Sequence, residues 1–121
     1  MNERRVTYRA SAVARCPDGT VITLGGRESG SPRRALRWLR SRAEHVAEQL
    51  GAPCDTALRA RLDDDAGYQW ALYGLVADIP FAVEVVDGDG CVYTLAAHRE
   101  AAVQHPRVPA SYGREVAWPA A

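Results

Sequence analysis

This chain of 121 residues contains no lysine, and all fifteen of its basic residues are arginines. It also lacks any apolar run of about 18 residues, the length that a membrane-spanning helix needs. Its start, Met-Asn-Glu-Arg-Arg, leads into a strand-like pattern without an apolar signal region. We therefore expect a cytoplasmic protein that has no membrane partner. Its 47% apolar and 25% charged residues are typical of a globular domain.

Cysteine is too scarce and too scattered to indicate a metal site. Cys16, Cys54 and Cys91 are far apart, and none belongs to a CxxC or a local Cys–His pair. We expect them to be small buried hydrophobic side chains rather than zinc ligands. The segment 87–90, Asp-Gly-Asp-Gly, looks like the start of a calcium loop, but His98 stands where that loop needs glutamate. We predict neither a metal nor a cofactor.

The two signs of charge are separated along the chain, although the net charge is zero. Residues 1–42 hold ten arginines against three acids, a net charge of +7, and residues 43–89 hold ten acids against two arginines, a net charge of −8. Such asymmetry is typical of a domain that uses one charged face, often toward nucleic acid. A pI near 6.8 argues the other way, because nucleic-acid-binding domains are usually basic overall.

The first half of the chain predicts a hairpin followed by a long helix. Residues 6–15 alternate as a strand, Cys-Pro-Asp-Gly at 16–19 favours a turn, and the β-branched residues 20–24 return as a second strand. A flexible glycine-rich loop is expected over 25–30. Ser31 and Pro32 then start a helix that should run to about Leu50, where Gly51 ends it.

The second half predicts a short helix, a single strand and another hairpin. The short helix covers 55–62, and residues 68–76 are interpreted as a strand, with a helix as the alternative. Residues 81–86 and 91–97 should form a hairpin closed at 87–90. The fold class is therefore α+β: a mostly antiparallel sheet, of two hairpins plus one strand, packed on one long and one short helix. We expect one domain over 1–104 and an irregular, proline-containing tail over 105–121.

The start of the long helix is the first candidate site. Arg33 and Arg34 in its first turn oppose the helix dipole, and a bound anion would remove that conflict. Both guanidiniums and the free backbone N–H groups would then converge on one oxyanion. A solvated basic turn, or ion pairs to the acidic middle segment, would explain the same residues. The residues predicted to bind an anion or partner are Arg27, Gly30, Arg33, Arg34, Arg37, Trp38 and Arg42.

Trp38 carries the second expectation. The apolar stripe of this helix comprises Leu36, Leu39, Ala43, Val46, Ala47 and Leu50. Trp38 is placed on the opposite side, with Arg34, Arg42 and His45 as neighbours. A tryptophan among arginines is suited to stacking on bases or to anchoring a protein partner. The alternative is that Trp38 is covered by the C-terminal tail or lies between two layers.

These observations leave three hypotheses open. The leading one is a small non-enzymatic binding module, accessory or regulatory, whose partner is nucleic acid. The second is a protein-interaction module, such as an inhibitor, immunity-type or assembly protein, that uses Trp38, the acidic middle segment and the tail. Third, Arg27, Gly30 and Ser31 resemble the Arg-x-x-Gly-x-Gly/Ala pyrophosphate loop of acetyl-CoA-dependent N-acetyltransferases, which implies an acyl-CoA-type transferase, although Pro32 replaces a small residue there. Homo-oligomerisation stays open.

Overall fold

A computed structural model describes residues 5–102, including the side chains of 6–101. The tail predicted over 105–121, which contains Trp118, lies outside the described residues. The elements in chain order are β1 (Arg5–Arg15), β2 (Val21–Ser29), α1 (Pro32–Leu50), α2 (Thr56–Leu62), α3 (Asp65–Val76), β3 (Phe81–Val86) and β4 (Val92–Ala102).

The four strands form one antiparallel sheet in the order β2-β1-β4-β3. β1 and β4 pair in the middle of the sheet from Arg5–Ala102 to Arg15–Val92. The helices pack on one face of the sheet. The core side chains of β1 and β4 lie at alternate positions along each strand and so share this face. The predicted α+β class is confirmed.

The size of the core side chains differs between the β1 half of the sheet and the half formed by β3 and β4. α1 contacts β1 through alanines on both elements, including Ala10 and Ala12 on the strand and Ala35 and Ala47 on the helix, all fully buried. Small side chains let a helix approach a sheet closely. The half over β3 and β4 is instead filled by larger side chains such as Leu75 and Leu95.

Both predicted hairpin turns are present. In the first, Gly19 has φ +93° and donates its N–H to Cys16 O at 2.9 Å. In the second, Asp87 Oδ1 accepts from the N–H groups of Asp89 at 2.8 Å and Cys91 at 3.0 Å. The Cys91 N–H contributes most to lowering the pKa of Asp87. The Asp87 carboxylate therefore stabilises the turn over 87–90 by accepting these hydrogen bonds.

The long helix begins and ends where the sequence predicts. Ser31 Oγ accepts from Arg34 N at 3.2 Å, Pro32 is the first helical residue, and Gly51 at φ +68° ends the helix. The expected stripe is buried except for Leu50, which is half-buried against the core.

The strand predicted over 68–76 is wrong, because these residues belong to α3. Asp64 caps this helix by accepting from Gly67 N at 2.9 Å. Ala71, Leu72 and Leu75 are buried, and their spacing fits a helix face rather than a strand. Within residues 5–102, the sheet is therefore made from the two hairpins alone, and there are three helices where two were predicted.

The glycine-rich loop expected over 25–30 is also wrong for most of its length. β2 continues to Ser29 and pairs with β1 through Gly25–Ala12, Arg27–Ala10 and Ser29–Tyr8. A register shift beside Ala12 allows the strand to continue past the two glycines.

Two of the three cysteines are not isolated. A disulfide joins Cys16 to Cys91, whose Cα atoms are 4.0 Å apart. The two residues directly follow the Arg15–Val92 pair in the β1–β4 ladder, so the register brings them together. The interpretation of all three as separate hydrophobic side chains is wrong for this pair, and Cys54 is a half-buried free thiol.

Candidate functional site

The predicted arginine surface forms the outer side of the start of α1. Arg33, Arg34 and Arg37 are exposed on the helix, and Arg27 and Gly30 are exposed just before it. Arg27 lies opposite Ala10 in the ladder, so it shares the face of the sheet on which α1 packs. We call Arg27, Arg33, Arg34 and Arg37 the arginine surface.

No carboxylate of the described part neutralises the arginine surface by a direct ion pair. Among residues 6–101, Arg59 and Asp55 form an ion pair at 2.7 Å, and His98 Nε2 lies 3.0 Å from Glu100 Oε2. Asp55 is also the main cause of the raised pKa of Arg59. The alternative that the acidic middle segment pairs with the arginines at the start of α1 is therefore not seen among these residues.

Trp38 does not face away from the core, so its predicted placement is wrong. The ring is half-buried, packs against the core and lies beside Gly25 on β2. The guanidinium of Arg42 lies over the ring, with Cζ 5.2 Å from the centroid. Arg42 Nε is buried and has no hydrogen-bond partner among the described residues. The stacked side chains of Trp38 and Arg42 thus cover the boundary between α1 and β2 beside Gly25.

The strongest exposed apolar feature was missed by sequence reasoning and lies on α3. Trp70, Tyr73 and Val76 are 75%, 65% and 52% exposed, and their three-residue spacing makes them neighbours on the helix surface. Ile79 follows at 60% exposed and donates its N–H to Gly74 O at 2.7 Å. We call Trp70, Tyr73, Val76 and Ile79 the α3 strip.

The reason for the miss is the strand interpretation of 68–76. A strand would have divided these residues between two faces of the sheet, so no continuous strip was expected. The sequence signal for α3 is Asp64, which caps the helix three residues before Gly67. Apolar residues at helical spacing follow the cap and lie on both sides of the helix.

Carboxylates flank both ends of the α3 strip. Asp63, Asp64 and Asp65 precede it, and the exposed Asp78 follows Val76 at φ +69°. Asp64 is used as the cap of α3, whereas Asp65 and Asp78 make no ion pair with the described residues. A cation also lies at the second end, since Arg99 donates to Val76 O at 2.8 Å.

A cavity of about 400 Å³ lies between the three helices and the sheet. Its walls come from α1, α2, α3, β3 and β4 and are mainly leucine, alanine and aromatic side chains. The polar side chains that line it are those of Arg40, Arg61, Asp64 and Tyr68. Arg40 Nη2 donates to Leu62 O at 2.7 Å, and the Arg61 guanidinium lies 5.9 Å from the Phe81 centroid.

Comparison with known proteins gives no relative. No protein family, no curated protein and no solved structure matches this chain. Within the described ranges, no helix is long and apolar enough to cross a membrane, and no cluster of His, Cys, Asp and Glu could hold a metal ion. The resemblance to the acetyltransferase pyrophosphate loop gains nothing from the structure, because Arg27 belongs to a paired strand.

Proposed function

We propose that this domain is a protein-interaction module that binds its partner through the α3 strip. The observation that carries the proposal is the exposure of Trp70, Tyr73 and Val76 along one side of a helix whose other side is buried. A helix that is apolar on both sides is normally covered on both sides. The proposal keeps the class of the second sequence hypothesis but moves its surface from Trp38 to α3.

The composition of the strip supports a binding role rather than a chance exposure. Tryptophan and tyrosine are the residue types that most often dominate the energy of protein interfaces. Trp70 and Tyr73 have aromatic rings with few rotatable bonds and lie about one helical turn apart, so both can enter a partner at once. Removing such an anchor typically costs 2 kcal/mol or more of binding free energy, roughly a thirtyfold loss of affinity.

The acidic start of the strip favours a cationic partner. Asp65 at this end would attract a segment that carries arginine or lysine beside its apolar anchors. At the other end Asp78 and Arg99 carry opposite charges, so that end adds no net attraction for either sign. Added salt should therefore weaken the proposed complex.

Site-directed photocrosslinking in the native cell tests the proposal. A photoreactive residue replaces the exposed Gln69, beside Trp70, or the exposed Gln49 on α1 as the matched control. We expect one discrete protein adduct from position 69 and none from position 49. Trp70→Ser should remove that adduct, because it deletes the anchor and leaves the crosslinker in place.

Three outcomes would contradict it. Equal adducts from both positions would indicate non-specific contact, and an adduct insensitive to Trp70→Ser would place the interface elsewhere. A crosslinked dimer of this chain would show that the strip serves self-association instead.

The arginine surface favours nucleic acid as a second candidate function. Its four guanidiniums are exposed and make no ion pair with residues 6–101, so they are available to phosphates. Binding of this kind would be tolerant of base sequence, because guanidinium contacts to phosphates carry no sequence information. It would leave the α3 strip free, so the two functions are separable by mutation.

A further inference from the structure

We infer that the cavity between the helices and the sheet is a binding site for a small organic acid with an aliphatic body, such as a medium-chain fatty acid. The juxtaposition that carries the inference is a large apolar cavity with two arginines among its lining residues. It involves neither the α3 strip nor the arginine surface, and so it stands independently of the proposed function.

The cavity is partly open to solvent, and its volume is far larger than the gaps that close packing leaves between side chains. Protein interiors are packed like organic crystals, with few voids larger than one water molecule. At about 400 Å³ this cavity lies within the range of ligand pockets, which are mostly apolar and contain a few placed polar groups. Its lining includes Leu39, Leu58 and Leu95 from three different elements, so a flexible aliphatic chain would contact all sides.

The arginines supply the recognition of the acid. Neither Arg40 nor Arg61 makes an ion pair with the described residues. Arg40 uses Nη2 to hold Leu62 O, and Arg61 lies over the Phe81 ring, which leaves further N–H donors on both guanidiniums. The single carboxylate in the lining, Asp64, is already held by Gly67 N. The charge of the lining residues is thus net positive, which favours an anionic head group over a neutral or cationic one.

Titration of the full chain with decanoate, and with decanol as the uncharged match, tests the inference. Calorimetry should give saturable decanoate binding at one site. The affinity for decanol should be lower by about tenfold or more. Arg40→Gln and Arg61→Gln should each weaken decanoate binding about tenfold and leave decanol unchanged. Arg15→Gln, at an exposed arginine of β1 that belongs to neither the cavity nor the arginine surface, is the matched control.

Methyl NMR places the ligand within the fold. Decanoate should shift the Leu58 and Leu95 methyl signals and leave those of the exposed Val86 in place. Ala71→Phe, which fills the cavity, should abolish binding of both ligands, and the arginine variants keep the test valid if that variant does not fold.

Equal affinity for decanoate and decanol would overturn the assignment of an acid, and absence of saturable binding would overturn the site. Ligand-induced shifts at Val76 and Ile79 instead of Leu95 would mean that decanoate covers the α3 strip, which also overturns it. Because Trp70→Ser should leave decanoate binding unchanged, failure of this inference is distinguishable from failure of the proposed function.

Discussion

Trp38 and Gly25 are matched across the boundary between α1 and β2. A Cβ atom built on Gly25 would lie 3.0 Å from Trp38 Cζ2, closer than side chains normally approach. Gly25 also has φ +137°, a backbone conformation that residues with a side chain rarely adopt. The indole ring therefore occupies the space that the absent side chain leaves.

Gly25→Ala should destabilise the domain by about 1–3 kcal/mol, since it adds both backbone strain and a contact with the Trp38 ring. Urea unfolding measures the change. Gly30→Ala is the control, because no atom lies within 4 Å of its added Cβ, and it should change the free energy of unfolding by less than about 0.5 kcal/mol. A Gly25 variant as stable as the wild type would show that the ring can move aside freely.

The double variant Arg33→Ala/Arg34→Ala tests the arginine surface. If these residues contact phosphates, the slope of log K against log salt for a DNA duplex should lose about two of an expected −2 to −4. The fold should be unchanged or slightly more stable, because both cations oppose the α1 dipole. Fluorescence anisotropy at several salt concentrations gives the slope. If the wild-type protein binds neither DNA nor RNA at low salt, the nucleic-acid hypothesis is ruled out.

The disulfide predicts how many thiols the chain shows. With Ellman's reagent, the denatured but unreduced chain should give one thiol, from Cys54, and the reduced chain should give three. Because the bond closes a loop across 75 residues, Cys16→Ser/Cys91→Ser should lower the free energy of unfolding by about 2–4 kcal/mol. Cys54→Ser is the control and should cost much less. Three reactive thiols without reductant would contradict the pairing.

Asp87 should make the second hairpin sensitive to acid. Hydrogen bonds, with the Cys91 N–H first, hold the pKa of Asp87 below its usual value of about 3.9 in the folded chain. Its stabilising effect is therefore complete above that value and is lost as the pH falls through the lower folded pKa. Asp87→Asn keeps an acceptor oxygen but cannot titrate, so its deficit against the wild type should be largest near neutral pH and should shrink in acid.

Urea unfolding midpoints between neutral pH and about pH 3 measure this difference. Asp89→Asn is the matched control, because the Asp89 side chain accepts no hydrogen bond among residues 6–101, and its midpoint should follow the wild type. A constant difference between Asp87→Asn and the wild type across this range would show that the charge of Asp87 does not stabilise the turn.

Local signals in the sequence were enough for the hairpins and for α1. Asp18-Gly19 and Asp87-Gly88 fix their turns through carboxylate hydrogen bonds, and Ser31-Pro32 fixes the start of the helix. Segment 68–76 was interpreted incorrectly because it is apolar apart from Gln69 and Gly74, which hides the helical period that a polar face would reveal. The apolar character that hid the helical period is the same property that makes the exposed side of α3 a candidate interface.

The candidate sites depended on pairings that are distant in sequence. Cys16 and Cys91 meet only because β1 and β4 share a register, and no local spacing announces this. Trp38 was placed by the helix period alone, which cannot show that β2 extends beneath it. The cavity likewise requires the positions of all three helices over the sheet.

The pairing of β1 with β4 also sets the order of events during synthesis. β1 leaves the ribosome before the other described elements, and its neighbour on one side, β2, follows within a few residues. Its other neighbour, Val92–Ala102, emerges only after all three helices. Until then β1 presents an open edge to the cell, and the centre of the sheet closes in one late step. We expect a ribosome-bound chain that ends before residue 92 to be easily digested by protease, and one extended well beyond residue 102 to resist it.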